Sequence, residues 1–431
     1  MNTIKIPTNL KLITSKNVPT TTNLEKGEIA FGKIDSDEIR LFANPDNEVK
    51  EITPIKQHNS LIGRNEPDSH PVSAITDAVE EVQKPLPNDI IQTNKTDGEF
   101  WTMGLSSNGT LYFCSVDDSG IWKLDNSGNI VQTNKTNGNF RAMELSSDGT
   151  LYFGSNDPGN GNGIWKLDNS GNIVQTNKTN GGFNSMGLSS DGTLYFASNG
   201  QGIWKLDSSG NIIQTNKTNG SFWTTGSSSD GTLYFGTGDS NGIWKLNSSG
   251  NIIQTNIANG SFRTMKLSSD GILYFGSYSN FGIWKLDSSG NIVQTNKTNG
   301  IFWSMGLSSD GTLYFGGMSD IGIWKLDNSD NIIQSNKITG DFSTIRLSSD
   351  GTLYFGSYGS NQGIWKLDNS DNIIPTNKTD GNFLSMGLSS DGTLYFGSNG
   401  QGIWKLPYVK PKIYGRVYGE WQEIKLVAQM I

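Results

Sequence analysis

Eight copies of one pattern, each about 40 residues long, fill positions 88–406 and leave little freedom in what the chain can fold into. Four runs recur in every copy. One is β-branched and begins at Ile90, Ile130, Ile173, Ile212, Ile252, Ile292, Ile332 and Ile373. A second begins at Phe100, Phe140, Phe183, Phe222, Phe262, Phe302, Phe342 and Phe383. The third is Leu-Tyr-Phe, first at Leu111–Phe113, and the fourth is Ile-Trp-Lys-Leu, first centred on Trp122. Each run is short, rich in β-branched and aromatic residues, and bounded by Gly, Asn, Asp and Ser, which reads as a strand between turns. Ser-Asp-Gly, as at Ser147–Gly149, and Ser-Gly-Asn, as at Ser127–Asn129, supply the positive φ that tight hairpins require. Four antiparallel strands per repeat make one blade of a β-propeller, so the expected fold is an all-β, eight-bladed ring.

We call the Phe run strand A, Leu-Tyr-Phe strand B, Ile-Trp-Lys-Leu strand C and the β-branched run strand D. The repeats open on a D strand at 90–95 and end on a C strand at 402–406. The first D strand lacks its A–C partners and the last A–C set lacks its D strand. Pairing the two closes the ring and completes the eighth blade. Pro375 stands in one D strand, where it fits only if D is the outer edge, because proline has no N–H to give to a ladder.

The 431 residues are 34% hydrophobic, yet include 53 glycines and 10% aromatics, a balance that suits short strands and turns better than long apolar helices. A net charge of −8 argues against a track for nucleic-acid phosphates. One cysteine rules out an intrachain disulfide framework. Cys114 falls where other copies carry Gly154, Ala197 or Gly236, which marks a slot for a small residue rather than a nucleophile. No apolar run is long enough for a membrane span, and the first residues lack the pattern of a secretory signal, so a protein made in the cytoplasm is expected. The in-phase tryptophans of strand C read as packing between blades.

Residues 1–57 are of another kind: short β-like runs between Gly, Asn-Pro-Asp and Ser-Asp turns, expected to form a small β-rich attachment domain. Residues 58–87 read as a neck or linker with a short helix. After Pro71, Val72, Ile75, Val79 and Val82 are spaced 3, 4 and 3, an a/d seam that would serve as a trimer neck, or as one face of a helix packed on its own domain. Residues 407–431 are expected to form a C-terminal β extension.

The blade pattern at 88–406 resembles NHL-type and related propellers. Gly-Glu-Ile-Ala-Phe-Gly at 27–32, Arg-Leu-Phe-Ala-Asn at 40–44, His-Asn-Ser-Leu-x-Gly-Arg at 58–64 and Ser-His-Pro-Val-Ser-Ala-Ile-Thr at 69–76 resemble segments of tailed-phage fibre and baseplate-associated proteins. The run from Ile413 to Ile424 looks like a short β element of the same class. That resemblance implies a virion protein, with an N-terminal region attached to other virion proteins, often as a homotrimer, and a distal part that meets the host. His58 and His70 belong to these segments and read as turn or cap residues.

Comparing the copies with one another shows where they differ. The A–B and C–D turns are nearly uniform, whereas the B–C loops vary. The residue after the strand-A Phe varies too: Trp101, Arg141, Asn184, Trp223, Arg263, Trp303, Ser343 and Leu384. Three positions on, Gly gives way to Glu144, Lys266 and Arg346. B–C loops and the starts of A strands share one rim of a propeller, so the variation gathers on one face, as in a recognition surface for a host glycan or protein. Loop drift, with the three tryptophans packed between blades, would give the same pattern.

Catalysis has little to rest on. Residues 88–406 contain no histidine, and most acids sit at repeated turn positions such as Asp148 and Asp191. The Ser-Ser-Asp-Gly-Thr run lacks the Gly and Trp placement of a sialidase Asp-box. Asp117, Asp118, Asp157, Asp239 and Asp320 in the B–C loops have the oxygen chemistry for Ca²⁺, but no metal or cofactor is expected. Asn-Lys-Thr at 94–96 and in five further copies matches the glycosylation sequon, which has meaning only in a eukaryotic secretory route. The expected protein is therefore a non-enzymatic phage appendage with a binding head. A glycan-degrading propeller or a head-surface decoration protein stands as the alternative.

Overall fold

Each repeat folds as four antiparallel strands in the order A-B-C-D, because every run is bounded by a turn whose side chains close it locally. In blade 1 the strands are Phe100–Leu105, Leu111–Ser115, Ile121–Leu124 and Ile130–Gln132. At the A–B turn of blade 2, Asp148 accepts hydrogen bonds from Ser146 Oγ at 2.6 Å and Thr150 N at 2.9 Å, and Gly149 takes φ 83°. The computed structural model describes residues 89–156, 163–279, 281–337, 339–359 and 363–408, with six further strands outside this range. It separates the chain into Pro87–Tyr408 and a second unit comprising Met1–Leu86 with Val409–Ile431.

Pro87–Tyr408 is an eight-bladed β-propeller. The A strands of blades 2 to 7 are Phe140–Leu145, Gly182–Leu188, Phe222–Ser227, Phe262–Leu267, Ile301–Leu307 and Asp341–Leu347. Blade 8 combines Phe383–Leu388, Leu394–Ser398 and Ile403–Leu406 with Ile91–Gln92 from the other end of the repeat array. Trp404 lies opposite Gln92 and Lys405 opposite Ile91, the closure expected from the order of the runs. Pro375 ends the outer strand Ile373–Pro375 opposite Trp365, again as expected of an edge.

The core lies between blades. Tyr152 and Ile164 of blade 2 pack with Phe183, Met186, Leu194, Phe196 and Ile212 of blade 3 into one buried cluster, and the same set recurs around the ring. Burial of a large apolar side chain contributes roughly 1.5–3 kcal/mol, so these repeated positions dominate stability. The strand-C tryptophans do not fill that core. They are half-buried at its margin, and in seven blades a lysine from the preceding D–A connection covers the indole, as Lys178 does Trp204 at 4.1 Å and Lys378 does Trp404 at 3.9 Å. Ile257 takes the lysine's place in blade 5.

The asparagines of the Asn-Lys-Thr runs are structural. Asn216 Oδ1 accepts from Ile252 N at 2.8 Å and its Nδ2 donates to Ile252 O at 2.9 Å, which joins the connection after one D strand to the next blade's D strand. Asn377 makes the same pair of bonds to Ile90, at 2.9 and 3.1 Å.

In the second unit, Leu10–Ile13 pairs parallel with Ile29–Ile34, which runs antiparallel to Glu38–Ala43, and that strand pairs with Lys50–Glu51. Ile413–Val417 and Glu420–Ile424 form a hairpin. The neck positions Val72, Ile75, Val79 and Val82, together with His58 and His70, lie outside the described residues.

Candidate ligand-binding site

Strand A carries an extra residue in every blade. Phe100 pairs with Ser115 and Thr102 with Cys114, so Trp101 opposes nothing. The same shift recurs at Arg141, Asn184, Trp223, Arg263, Trp303, Ser343 and Leu384. A β-bulge of this kind breaks the alternation of a strand and re-aims one side chain. Here the eight re-aimed side chains line one cavity of about 170 Å³, with strand A innermost in each sheet.

Six residues expected from the sequence to vary in function, Trp101, Arg141, Asn184, Trp223, Arg263 and Trp303, are thus brought together, with Ser343 and Leu384 completing the ring. The tryptophans line the cavity, and Trp223 and Trp303 also touch aromatic rings of neighbouring blades. Glu144, Lys266 and Arg346 are not in its lining. They stand further along strand A, where five blades keep glycine because the next blade is close: a Cβ on Gly306 would lie 2.4 Å from Ile345 Cγ2. Burial raises the Glu144 carboxyl above its ordinary pKa. Lys266 is exposed, yet the protein crowded around it and then the charge of Arg346 lower its pKa.

The cavity is chemically lopsided. On one side, Trp223, Tyr278, Trp303 and Tyr358 form a continuous aromatic arc, with successive ring centroids 5.1, 6.0 and 6.3 Å apart. Tyr278 comes from a B–C loop and Tyr358 ends the B strand Leu353–Tyr358, so the B–C rim and the bulge act together. Trp223 reaches its place because Gly238 has no side chain; a Cβ there would be 2.1 Å from the indole. On the other side, Trp101 Nε1 donates to Glu99 Oε1 at 2.6 Å and the Arg141 guanidinium lies 4.5 Å from the Trp101 ring. Glu99 was not singled out in the sequence; its place just before the strand-A Phe, in the D–A connection, is the signal that marks it.

Arg263 occupies the middle. Its guanidinium carbon is 4.9 Å from the Trp303 ring, 5.1 Å from Trp223 and 5.9 Å from Trp101, which belongs to the blade across the ring. It forms no ion pair among the described residues. Burial, and secondarily the positive charge of Arg141, bring its pKa down to about 10, so it stays charged at neutral pH. Trp303 Nε1 is buried without a hydrogen-bond partner. Such a site offers a cation and flat aromatic faces for non-covalent binding.

The loop carboxylates are engaged with backbone. Asp118 accepts from Gly138 N and Asp320 from Gly340 N, both at 2.6 Å, and Asp239 accepts from Ser221 N at 2.9 Å. Asp117 accepts from Glu99 N at 3.0 Å, whereas Asp157 is outside the described residues. Among the described residues, no three His, Cys, Asp or Glu side chains come close enough to hold a metal. Cys114 is fully buried, and burial pushes its thiol pKa well up, away from nucleophilic chemistry.

No protein-family model and no curated protein matches the chain. Solved structures do. Virginiamycin B lyase from Staphylococcus aureus aligns at 18% identity and TM-score 0.50, covering 63% of this chain and 95% of the lyase. A catalytically inactive histidine-to-alanine variant of that lyase with quinupristin aligns at 17% identity and TM-score 0.50, covering 74% and 98%. At such identities the likeness is one of fold, and the fold is the β-propeller.

Proposed function

We propose that this chain is a tailed-phage virion protein, a fibre or related appendage, whose propeller binds a host-surface ligand at the mouth of its central channel without transforming it. The observation that carries the binding role is the bulge ring: eight equivalent positions converge on one cavity, yet hold three tryptophans, two arginines, an asparagine, a serine and a leucine. A purely structural ring of near-identical blades has no need of that diversity. The non-enzymatic reading is supported by the loop carboxylates, since Asp117, Asp118, Asp239 and Asp320 are each engaged with backbone N–H groups. The virion assignment draws on the segments at 27–32, 40–44, 58–64 and 69–76, and the C-terminal run at 413–424 agrees with it. In this reading the N-terminal unit docks to other virion proteins, the Val72–Val82 seam trimerises, and the ring is presented outward.

The test is incubation of the full chain with host cell-wall polysaccharide. Retention of the polysaccharide without new reducing ends is the expected result; depolymerisation would make the propeller a glycan-degrading enzyme instead. Solution mass should correspond to three chains, and a stable monomer would remove the neck. The copy number and position of the protein in an intact particle would separate a tail fibre from a head-surface protein.

A further inference from the structure

We propose that the channel mouth receives an acidic sugar, a saccharide residue whose carboxylate pairs with the Arg263 guanidinium while its ring lies among the indoles. This rests on the reading of the mouth as the binding site. The geometry starts from Arg263. A guanidinium ringed by three indoles has lost much of its water, and cation–π attraction returns only part of that loss. Arg141, which lines the same cavity, carries a like charge that works to lower the Arg263 pKa. Glu99, next to the cavity-lining Trp101, is hydrogen-bonded to it and acts on Arg141. Two cations facing a cavity, in a chain of net charge −8, leave room for an anion from outside.

The remaining groups describe the body of that ligand. A cavity of about 170 Å³ is the size of a single six-membered ring, since an apolar cavity of about 150 Å³ holds benzene. Trp303 lines the cavity and offers the ligand an apolar indole surface. Asn184 uses its Nδ2 on Phe222 O at 3.3 Å and has its Oδ1 left to accept from a hydroxyl. A guanidinium, an acceptor and flat aromatic faces around one ring suit a sugar better than an aromatic acid, which would leave Asn184 unmatched. Carboxylate geometry suits the planar fork of Arg263.

The experiment is calorimetric titration of the full chain with glucuronic acid, its neutral amide, glucose and benzoate. Glucuronic acid should bind at least about tenfold more tightly than glucuronamide or glucose. Arg263→Gln should erase that preference, and Arg263→Lys should keep part of it. Equal binding of the acid and the amide, or benzoate binding more tightly than glucuronic acid, would overturn the proposal. The comparison of acid with amide needs no variant and so survives a folding defect in Arg263→Gln. Failure of the broader reading looks different. If host polysaccharide is bound and neither Arg263→Gln nor Trp303→Ala weakens it, the mouth is not the site. If those variants weaken polysaccharide binding while the acid shows no preference, the mouth stands and the acidic sugar falls.

Discussion

Asp330 and Asp371 stand where other C–D turns carry glycine, and both hold φ near 62° without one. Aspartate tolerates that region better than most residues, but at some cost. The compensation lies across a blade boundary. The Asp330 carboxylate accepts from Tyr274 OH at 2.7 Å and pairs with Lys285, both of blade 5, and Asp371 repeats the arrangement with Tyr314 and Lys325 of blade 6. Partial burial works to raise the Asp330 pKa, but the bonds from Lys285 and Tyr274 outweigh it, and the carboxyl sits below its ordinary value. A depressed carboxyl contributes stability that is present above the unfolded pKa and is lost as pH falls through the folded one. Asp330→Asn keeps the backbone preference and removes the charge. With 44% of the Asp330 side chain exposed, screening limits its cost at pH 7 to about 0.5–1 kcal/mol. Chemical denaturation of the variant and the parent should show that difference at pH 7 and lose it as pH drops below about 4.

At the scale of the strand, the bulge and the edge explain what could and could not be read from the chain. Strand positions, turns and the outer place of Pro375 were legible because composition and spacing state them directly. The bulge was also written in the sequence, but in parity rather than composition. Phe100, Met103 and Leu105 all pack on one inter-blade cluster, yet a regular strand puts positions three apart on opposite faces. The spacing Phe-x-x-Met-x-Leu therefore requires one extra residue, and that residue is the one re-aimed into the mouth. The half-buried state of the strand-C tryptophans was less legible, since periodic recurrence says that a residue matters to every blade and not how deeply it sits. Edge chemistry gives a sharper test. Gln254 is the counterpart of Pro375, opposite the strand-C Trp244, and its exposed side chain donates to Asn241 O. Gln254→Pro should cost under about 1 kcal/mol. Thr255→Pro one position later removes the amide that donates to Ile243 O at 3.0 Å and the hydroxyl that donates to the same oxygen, and should cost about 3 kcal/mol in thermal or denaturant unfolding.

For the ring as a whole, what matters is that seven blades are continuous in sequence and one is not. In blade 8 the D strand joins its C strand without a connecting turn: Trp404 lies opposite Gln92, Lys405 opposite Ile91, Thr93 N donates to Ile403 O at 3.1 Å, and Ile90 is buried with Leu406. Elsewhere a C–D turn of a few residues holds the two strands together even when their ladder opens. The asparagine links are chemically identical at every boundary, so they measure the difference. Asn216→Ala leaves Ile252 N and O without partners in a boundary whose D strand is tethered by its own turn, and should lower stability by about 1–3 kcal/mol. Asn377→Ala removes the same two bonds from Ile90, the entry of the untethered D strand. That strand can then leave as a unit, and re-forming it means closing a loop the length of the propeller rather than a tight turn. Equilibrium losses should be similar in the two variants, but amide exchange at Thr93 should rise well above that at Thr255 only in Asn377→Ala. Equal protection of Thr93 and Thr255 in that variant would mean that the ring opens at no preferred place.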